Sequence, residues 1–227
     1  PAGQTAAHVV GFTNVDDRGQ EGIELAYDEW LTGVPGSKQV IKDLYGHVIR
    51  DVQELSPARP GRALDLSLDL RIQYLAHREL KKAIDSASAE SGCVVVLDAR
   101  TGEILAMANQ PSYNPNNRGA NVGAALRNRA ITDLVEPGST MKPLTMMAAL
   151  ESGKYRPDMT IETSPGYIRV GRKTFRDHHN YGLLPLGGVI TKSSQVGTTK
   201  IALSLDPGAI REVFVRAGLG QSVGTGF

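Results

Sequence analysis

The stretch 63–108 constrains the fold most, because it combines one amphipathic helix with short, strongly apolar segments. Its opening residues, 63–68, alternate apolar and polar side chains, which predicts a strand. Asp69 can then cap a helix that runs to about Ser86, along which apolar residues recur at helical spacing. Two apolar strands joined by a turn that contains glycine follow, over residues 93–98 and 104–108. This order predicts a mixed α/β (α+β) fold with locally paired strands.

Composition limits the classes of partner and site. Hydrophobic residues make up 41% of the 227 residues and charged residues 22%, which is typical of a globular protein with a real core. The formal net charge is +1, and no run of Lys or Arg is present, so we expect no nucleic acid partner. Cys93 is the single cysteine, which excludes an internal disulfide. Its apolar neighbours predict a small core residue.

The N-terminal part differs from the rest in the length and continuity of its predicted secondary structure. Its segments are short and broken, and the Pro- and Gly-rich stretch 56–61 is the best linker candidate. We therefore expect a small module over residues 1–60 and a larger domain over 61–227. No run of about 18 apolar residues is present, and the sequence opens on Pro1 without a signal peptide. We therefore interpret the sequence as a piece of a longer protein, and we expect the membrane anchor to lie outside this piece.

The strongest chemical motif is a serine followed three residues later by a lysine. Glu136-Pro137-Gly138 breaks the chain, and Ser139 is then predicted to begin a helix that ends near Gly153. Residues three apart share a helix face, so the amine of Lys142 can reach the hydroxyl of Ser139. A serine becomes a useful nucleophile when a neighbouring base takes its proton. Taken alone, the tetrapeptide fits equally well a surface serine that caps a helix beside a solvated lysine.

A second polar segment and four longer blocks favour the chemical interpretation. Ser193 and Gln195 place a hydroxyl and an amide two residues apart, where a strand-to-helix turn is expected to direct both to one side. The blocks that carry a family resemblance are 16–24, 102–108, 111–116 and 136–143. On these residues the chain resembles the class B penicillin-binding proteins, and within them the division-specific transpeptidases of Gram-negative bacteria.

The resemblance implies both a fold and a set of roles. The implied fold is the penicillin-binding transpeptidase fold, an antiparallel sheet with helices on both faces, incomplete in this chain, with residues 1–60 as part of an N-terminal pedestal. Ser139 is the implied nucleophile, Lys142 the general base, and Ser193 the group that relays protons. Gln195 and Ser194 are implied to bind substrate. The resemblance calls for no cofactor and no metal, and His178-His179 lacks a third ligand at sensible spacing.

Two departures from the family pattern are visible in the sequence. Gln195 stands where the family has asparagine, which adds one methylene before the amide. The family's third motif, Lys-Thr-Gly or Lys-Ser-Gly, does not occur among the 227 residues. We therefore expect this chain by itself to hold an incomplete site and to be inactive.

The implied activity is cross-linking of peptidoglycan stem peptides that end in D-Ala-D-Ala, through an acyl-serine, during septal wall synthesis. β-Lactams are implied as covalent inhibitors, membrane proteins of the division machinery as partners, and the periplasmic face of the inner membrane as the location. A non-catalytic β-lactam sensor or a division scaffold is the alternative from another class, and a serine β-lactamase is a lesser one.

Overall fold

The structure is a computed structural model that describes residues 3–118, 123–222 and 224. Residues up to Asp133 form one compact unit, and a second unit begins at Leu134. Within the described residues, the antiparallel strands pair as five separate two-stranded sheets. No helix in this part of the chain combines the length and the apolar character that crossing a bilayer requires.

Among its described residues, the first unit combines one long helix and several short ones with three antiparallel strand pairs. The pairs are β1 with β2, β3 with β4, and β5 with β6. Its strands are β1 (Phe12–Thr13), β2 (Gly19–Glu21), β3 (Ser37–Lys42), β4 (Val48–Ser56), β5 (Gly92–Leu97) and β6 (Ile104–Gln110). Its helices are α1 (Ala7–Val10), α2 (Gly22–Ala26), α3 (Asp28–Leu31), α4 (Leu70–Ala87), α5 (Gly123–Leu126) and α6 (Arg129–Thr132).

Helix α4 confirms the predicted amphipathic helix and its cap. The Asp69 carboxylate accepts hydrogen bonds from the backbone N–H groups of Arg71 and Ile72, two of the donors that a helix N-terminus leaves unpaired. Gln73 lies buried on the face of α4 that packs on β6. Its amide donates to the Met107 carbonyl at 2.9 Å, and its side-chain oxygen accepts from the Met107 N–H at 2.7 Å. These bonds connect α4 to the β5–β6 hairpin. The hairpin itself was also predicted from the sequence.

Two local predictions in this unit are wrong. Residues 63–68 form no strand, since they pair with no other strand among the described residues, and of their leucines Leu64 and Leu68 pack against the core while Leu66 is exposed. This side-chain pattern therefore does not present the single apolar face of a strand. Cys93 is exposed rather than buried. Burial alternates along β5, so every second side chain points away from the half-buried face whatever its polarity.

Among its described residues, the second unit holds four α-helices and two strand pairs, β7 with β10 and β8 with β9. Its helices are α7 (Lys142–Glu151), α8 (Leu186–Thr191), α9 (Gln195–Ser204) and α10 (Pro207–Arg216). Its strands are β7 (Thr160–Glu162), β8 (Tyr167–Val170), β9 (Lys173–Arg176) and β10 (Leu183–Pro185). The hairpin predicted around Gly171 is confirmed as β8–β9.

The core of the second unit brings its helices together. Ala149 on α7, Val189 on α8 and Ile201 on α9 are fully buried in one apolar cluster, to which Val213 on α10 also contributes. Because these helices pack through a shared core, the N-terminal end of α7 and the turn between α8 and α9 are fixed relative to each other. Those are the two segments that carry the predicted site residues.

Candidate active site

Ser139 lies in a 3₁₀ turn immediately before α7. The turn spans Gly138–Met141, and α7 begins at Lys142, so the α-helix starts three residues later than predicted. The Lys142 N–H donates to the Ser139 carbonyl, which closes the tighter i to i+3 ring. Side chains at i and i+3 eclipse in a 3₁₀ turn, so the turn aligns Lys142 with Ser139 more directly than an α-helix does.

Ser193 lies in a turn that ends α8 and leads into α9. Its φ is 52°, in the left-handed region that glycine usually occupies at this point. The Ser193 N–H donates to the Ile190 carbonyl at 2.8 Å, and the Ser194 N–H donates to the Val189 carbonyl at 2.9 Å. This bond pair is the Schellman pattern at a helix C-terminus. The turn therefore joins two helices, and the prediction of a strand-to-helix turn is wrong.

The three side chains at the centre of the predicted site lie within hydrogen-bonding distance of one another. Lys142 Nζ is 3.2 Å from Ser139 Oγ and 2.8 Å from Ser193 Oγ, and it donates to the Ser193 carbonyl at 2.5 Å. The Ser193 hydroxyl donates to Ser139 Oγ at 2.9 Å. A hydroxyl, an amine and a second hydroxyl thus form a closed triangle in which a proton can pass between any two members.

Burial shifts the Lys142 amine towards its neutral form. Burial lowers the pKa of the Lys142 ammonium group below its ordinary value, while the nearby Asp177 carboxylate acts in the opposite direction. A lysine whose pKa is lowered has a larger neutral fraction near neutral pH, and the neutral amine can accept a proton. Ser139 itself is exposed, so its hydroxyl is accessible to a substrate.

Ser194 and Gln195 lie beside this triangle with different surroundings. Ser194 is buried, caps α9 by accepting from the Gly197 N–H at 2.9 Å, and donates to Asp177 at 2.6 Å. Its hydroxyl is therefore engaged within the protein. The Gln195 side chain is exposed and has no hydrogen-bond partner among the described residues, whereas its backbone N–H donates to Asp177 at 2.6 Å.

Asp177 is the residue at this site that the sequence did not reveal. It follows β9 directly and lies sixteen residues before Ser193 in the chain. The signal available in sequence was a lone acidic residue after a short strand, which is common at turns. Its importance depends on the packing of β9 against α9, and local sequence does not contain that information.

Comparison with known proteins places this geometry in a family. A profile described as penicillin binding protein transpeptidase domain matches residues 92–227, and one described as penicillin-binding protein dimerisation domain matches residues 1–66. The chain belongs to the penicillin-binding protein transpeptidase family. This confirms the membership that the four sequence blocks implied.

Relatives and solved structures agree with the family assignment. The chain is 46% identical over 226 residues to the peptidoglycan D,D-transpeptidase FtsI of Escherichia coli, a match that covers 100% of this chain and 38% of that protein. Penicillin-binding protein 3 of Mycobacterium tuberculosis in its apo form is 33% identical, with a TM-score of 0.82 and coverage of 100% and 48%. The same protein complexed with ampicillin gives a TM-score of 0.80, with 33% identity and coverage of 97% and 46%.

These matches confirm the penicillin-binding transpeptidase fold for the described α/β architecture. They also show that the chain spans about two fifths of the length of the E. coli relative, since the match covers 38% of it.

Proposed function

We propose that the protein containing this chain is a peptidoglycan D,D-transpeptidase. The observation that carries the proposal is the triangle in which Lys142 Nζ reaches Ser139 Oγ at 3.2 Å and Ser193 Oγ at 2.8 Å. A serine with a lysine base and a second hydroxyl is a minimal acyl-transfer unit, because it supplies a nucleophile and a route for its proton. The E. coli relative carries the same activity in its name.

In the proposed first step, neutral Lys142 takes the hydroxyl proton of Ser139 as Oγ attacks the carbonyl of a D-Ala-D-Ala stem peptide. In this proposal the backbone N–H of Ser139 stabilises the developing oxyanion. The C–N bond then breaks, and Ser193 relays the proton to the departing amine of the terminal D-Ala. The products are an acyl-Ser139 and free D-Ala.

In the second step, an amine from a neighbouring stem peptide attacks the acyl-serine. The new amide forms the cross-link, and the Ser139 hydroxyl regains a proton through the same triangle. A β-lactam follows the first step, but its leaving amine stays tethered in the opened ring. The adduct is therefore expected to persist, which explains why β-lactams act as covalent inhibitors in this proposal.

Intact-mass spectrometry of the whole gene product with benzylpenicillin tests the first step. We expect a stable gain of one penicillin per molecule, mapped to Ser139 and absent in Ser139→Ala. Ser88→Ala is a matched control that should be labelled normally, since the Ser88 hydroxyl is exposed and has no hydrogen-bond partner among the described residues. An unlabelled wild-type protein, or a label on another residue, contradicts the proposal.

A β-lactam sensor without transpeptidase activity is the second candidate, and the exposed Gln195 side chain favours it. An asparagine is expected at this position in the family, so a longer amide alters the substrate contact on which turnover depends. Release of D-Ala from a stem-peptide mimic separates the two. An enzyme releases D-Ala and a sensor does not, although both are acylated by penicillin. A serine β-lactamase is separated by rapid loss of the adduct.

The remaining features of the proposal concern organisation and place. We propose that residues 1–60 are part of a non-catalytic pedestal and 61–227 part of the transpeptidase domain, which the dimerisation profile over 1–66 supports. The substrate is wall peptide, so the proposed location is the periplasmic face of the inner membrane. Membrane proteins of the division machinery are the proposed partners in septal synthesis. Labelling of intact, constricting cells with a fluorescent penicillin should place the protein at the septum.

A further inference from the structure

We propose that Asp177 is a positioning residue that holds the start of α9, and through it Ser193, against Lys142 and Ser139. The inference deepens the proposed acyl-transfer function and rests on it. Asp177 touches neither the nucleophile nor the base by a hydrogen bond, so its effect is exerted through the turn at Ser193 and Ser194.

The carboxylate of Asp177 accepts hydrogen bonds from three successive residues. Ser194 Oγ donates to Oδ2 at 2.6 Å, while the backbone N–H groups of Gln195 and Val196 donate to Oδ1 at 2.6 and 3.1 Å. Two of these donors are orphan N–H groups in the first turn of α9, and the Ser194 hydroxyl satisfies a third by accepting from Gly197. A carboxylate from a different element thus completes the helix cap, where negative charge is also favourable.

The backbone of Asp177 is also held in place by a hydrogen bond. The Asp177 N–H donates to the Gly166 carbonyl at 2.9 Å, which ties the end of β9 to the turn that leads into β8. Gly166 has a φ of 88°, and a Cβ built there would lie 3.2 Å from the Asn180 Cα, so the backbone approach is close. Asp177 is therefore held by the β8–β9 hairpin rather than by a free loop.

The turn that Asp177 holds contains the strained member of the triangle. Ser193 keeps a left-handed φ of 52°, which a non-glycine residue adopts only where its surroundings fix it. On one side the Schellman bonds to α8 fix Ser193, and on the other side the capped first turn of α9 does. From this position its carbonyl and hydroxyl both accept from Lys142 Nζ. Loosening the α9 side is expected to move both acceptors together.

Asp177 also acts on Lys142 by charge. Its carboxylate raises the pKa of the Lys142 ammonium group, against the larger lowering by burial. The other ionisable groups near this turn differ in their exposure or their partners. Arg176 and His178 beside Asp177 and Lys192 before Ser193 are exposed, and Lys200 on α9 donates to the Glu162 carbonyl. Removal of the Asp177 charge should therefore lower the pKa of Lys142 and extend acylation to lower pH.

The test is the rate of acylation by benzylpenicillin, measured across pH on the whole gene product for wild type, Asp177→Asn and Asp158→Asn. Asp158 is a matched control, since it is exposed and paired with Arg156. For Asp177→Asn we expect a plateau rate about tenfold lower, from misplacement of Ser193, and an acidic limb shifted to lower pH. Asp158→Asn should change neither. An Asp177→Asn profile equal to that of Asp158→Asn overturns the inference, as does a lower plateau with an unmoved limb.

A second variant covers the case in which Asp177→Asn does not fold. Ser194→Ala removes one of the three donors to Asp177 and leaves the charge in place. We expect a plateau several-fold lower with the acidic limb unmoved. An unchanged plateau in Ser194→Ala overturns the inference. Wild-type protein that is not acylated at any pH contradicts the proposed function instead, so the two failures are distinguishable.

Discussion

Ser88 and Ser193 occupy the same kind of backbone position in different units of the molecule. Both follow a helix with a left-handed φ, 50° for Ser88 after α4 and 52° for Ser193 after α8. In both turns the serine N–H donates to the carbonyl three residues back, and the next N–H donates to the carbonyl five back. Each is a Schellman turn in which a serine stands where glycine is common.

The two serines differ in what surrounds their side chains. The Ser88 hydroxyl is exposed and has no hydrogen-bond partner among the described residues. The Ser193 hydroxyl accepts from Lys142 and donates to Ser139, and the following helix is capped by Asp177. A left-handed serine is therefore not itself a mark of function. What distinguishes Ser193 is a base on one side and a second anchor on the other.

The largest expected effect comes from removing Lys142, the base that Ser193 contacts and Ser88 does not. Lys142→Ala should lower the rate of acylation by benzylpenicillin about 10³-fold, because the neutral amine no longer takes the proton of Ser139. Lys154→Ala is a matched control three residues beyond the end of α7, where the amine donates to the Ser204 carbonyl. Stopped-flow acylation measures both. Equal rates for the two variants would mean that the contacts which Ser193 makes and Ser88 lacks have no chemical role.

The next effect compares the two serines directly. Ser193→Gly keeps a residue suited to the left-handed turn but removes the hydroxyl, so we expect acylation about 10²-fold slower. Ser88→Gly makes the identical change in the other turn and should leave the rate unchanged. The same acylation assay measures both variants. If Ser193→Gly retains the wild-type rate, the carbonyl of residue 193 is sufficient for Lys142 and the relay role of the hydroxyl is wrong.

A smaller effect is expected where the chain leaves the turn at Ser193 and enters α9. Gln195→Asn shortens an exposed side chain by one methylene, which moves its amide by roughly 1.5 Å. Because such a displacement is large on the scale of a catalytic contact, we expect the relative acylation rates of several β-lactams to change up to about tenfold. The assay is acylation by a penicillin, a cephalosporin and a monobactam. If all three rates are unchanged, Gln195 does not contribute to substrate binding.

Sequence reasoning succeeded where the determining interactions are local. The cap of α4 at Asp69, the β5–β6 and β8–β9 hairpins and the alignment of Ser139 with Lys142 each depend on residues a few positions apart. Spacing and turn chemistry are sufficient there, because neighbouring residues share a face or close a short turn.

It failed where a contact between distant segments decides the outcome. The packing of β9 on α9 brings Asp177 to the start of that helix, and the residues beside Asp177 in the chain do not indicate this contact. Cys93 is exposed because of the face that β5 turns outward, although its neighbours are apolar. The left-handed turn at Ser193 is marked by no glycine, since surrounding bonds hold a residue that would otherwise avoid it.

The smallest effect concerns stability and sharpens the same comparison. Glycine pays no steric penalty in the left-handed region, although it gives up more freedom on folding, so Ser88→Gly should raise the free energy of unfolding by about 0.5–1 kcal/mol. Ser193→Gly should raise it less, because the same relief is offset by loss of the hydrogen bonds to Lys142 and Ser139. Urea unfolding of both variants measures the difference. A larger gain for Ser193→Gly would mean that its hydroxyl bonds cost stability, and that Ser193 is kept for chemistry against a stability penalty.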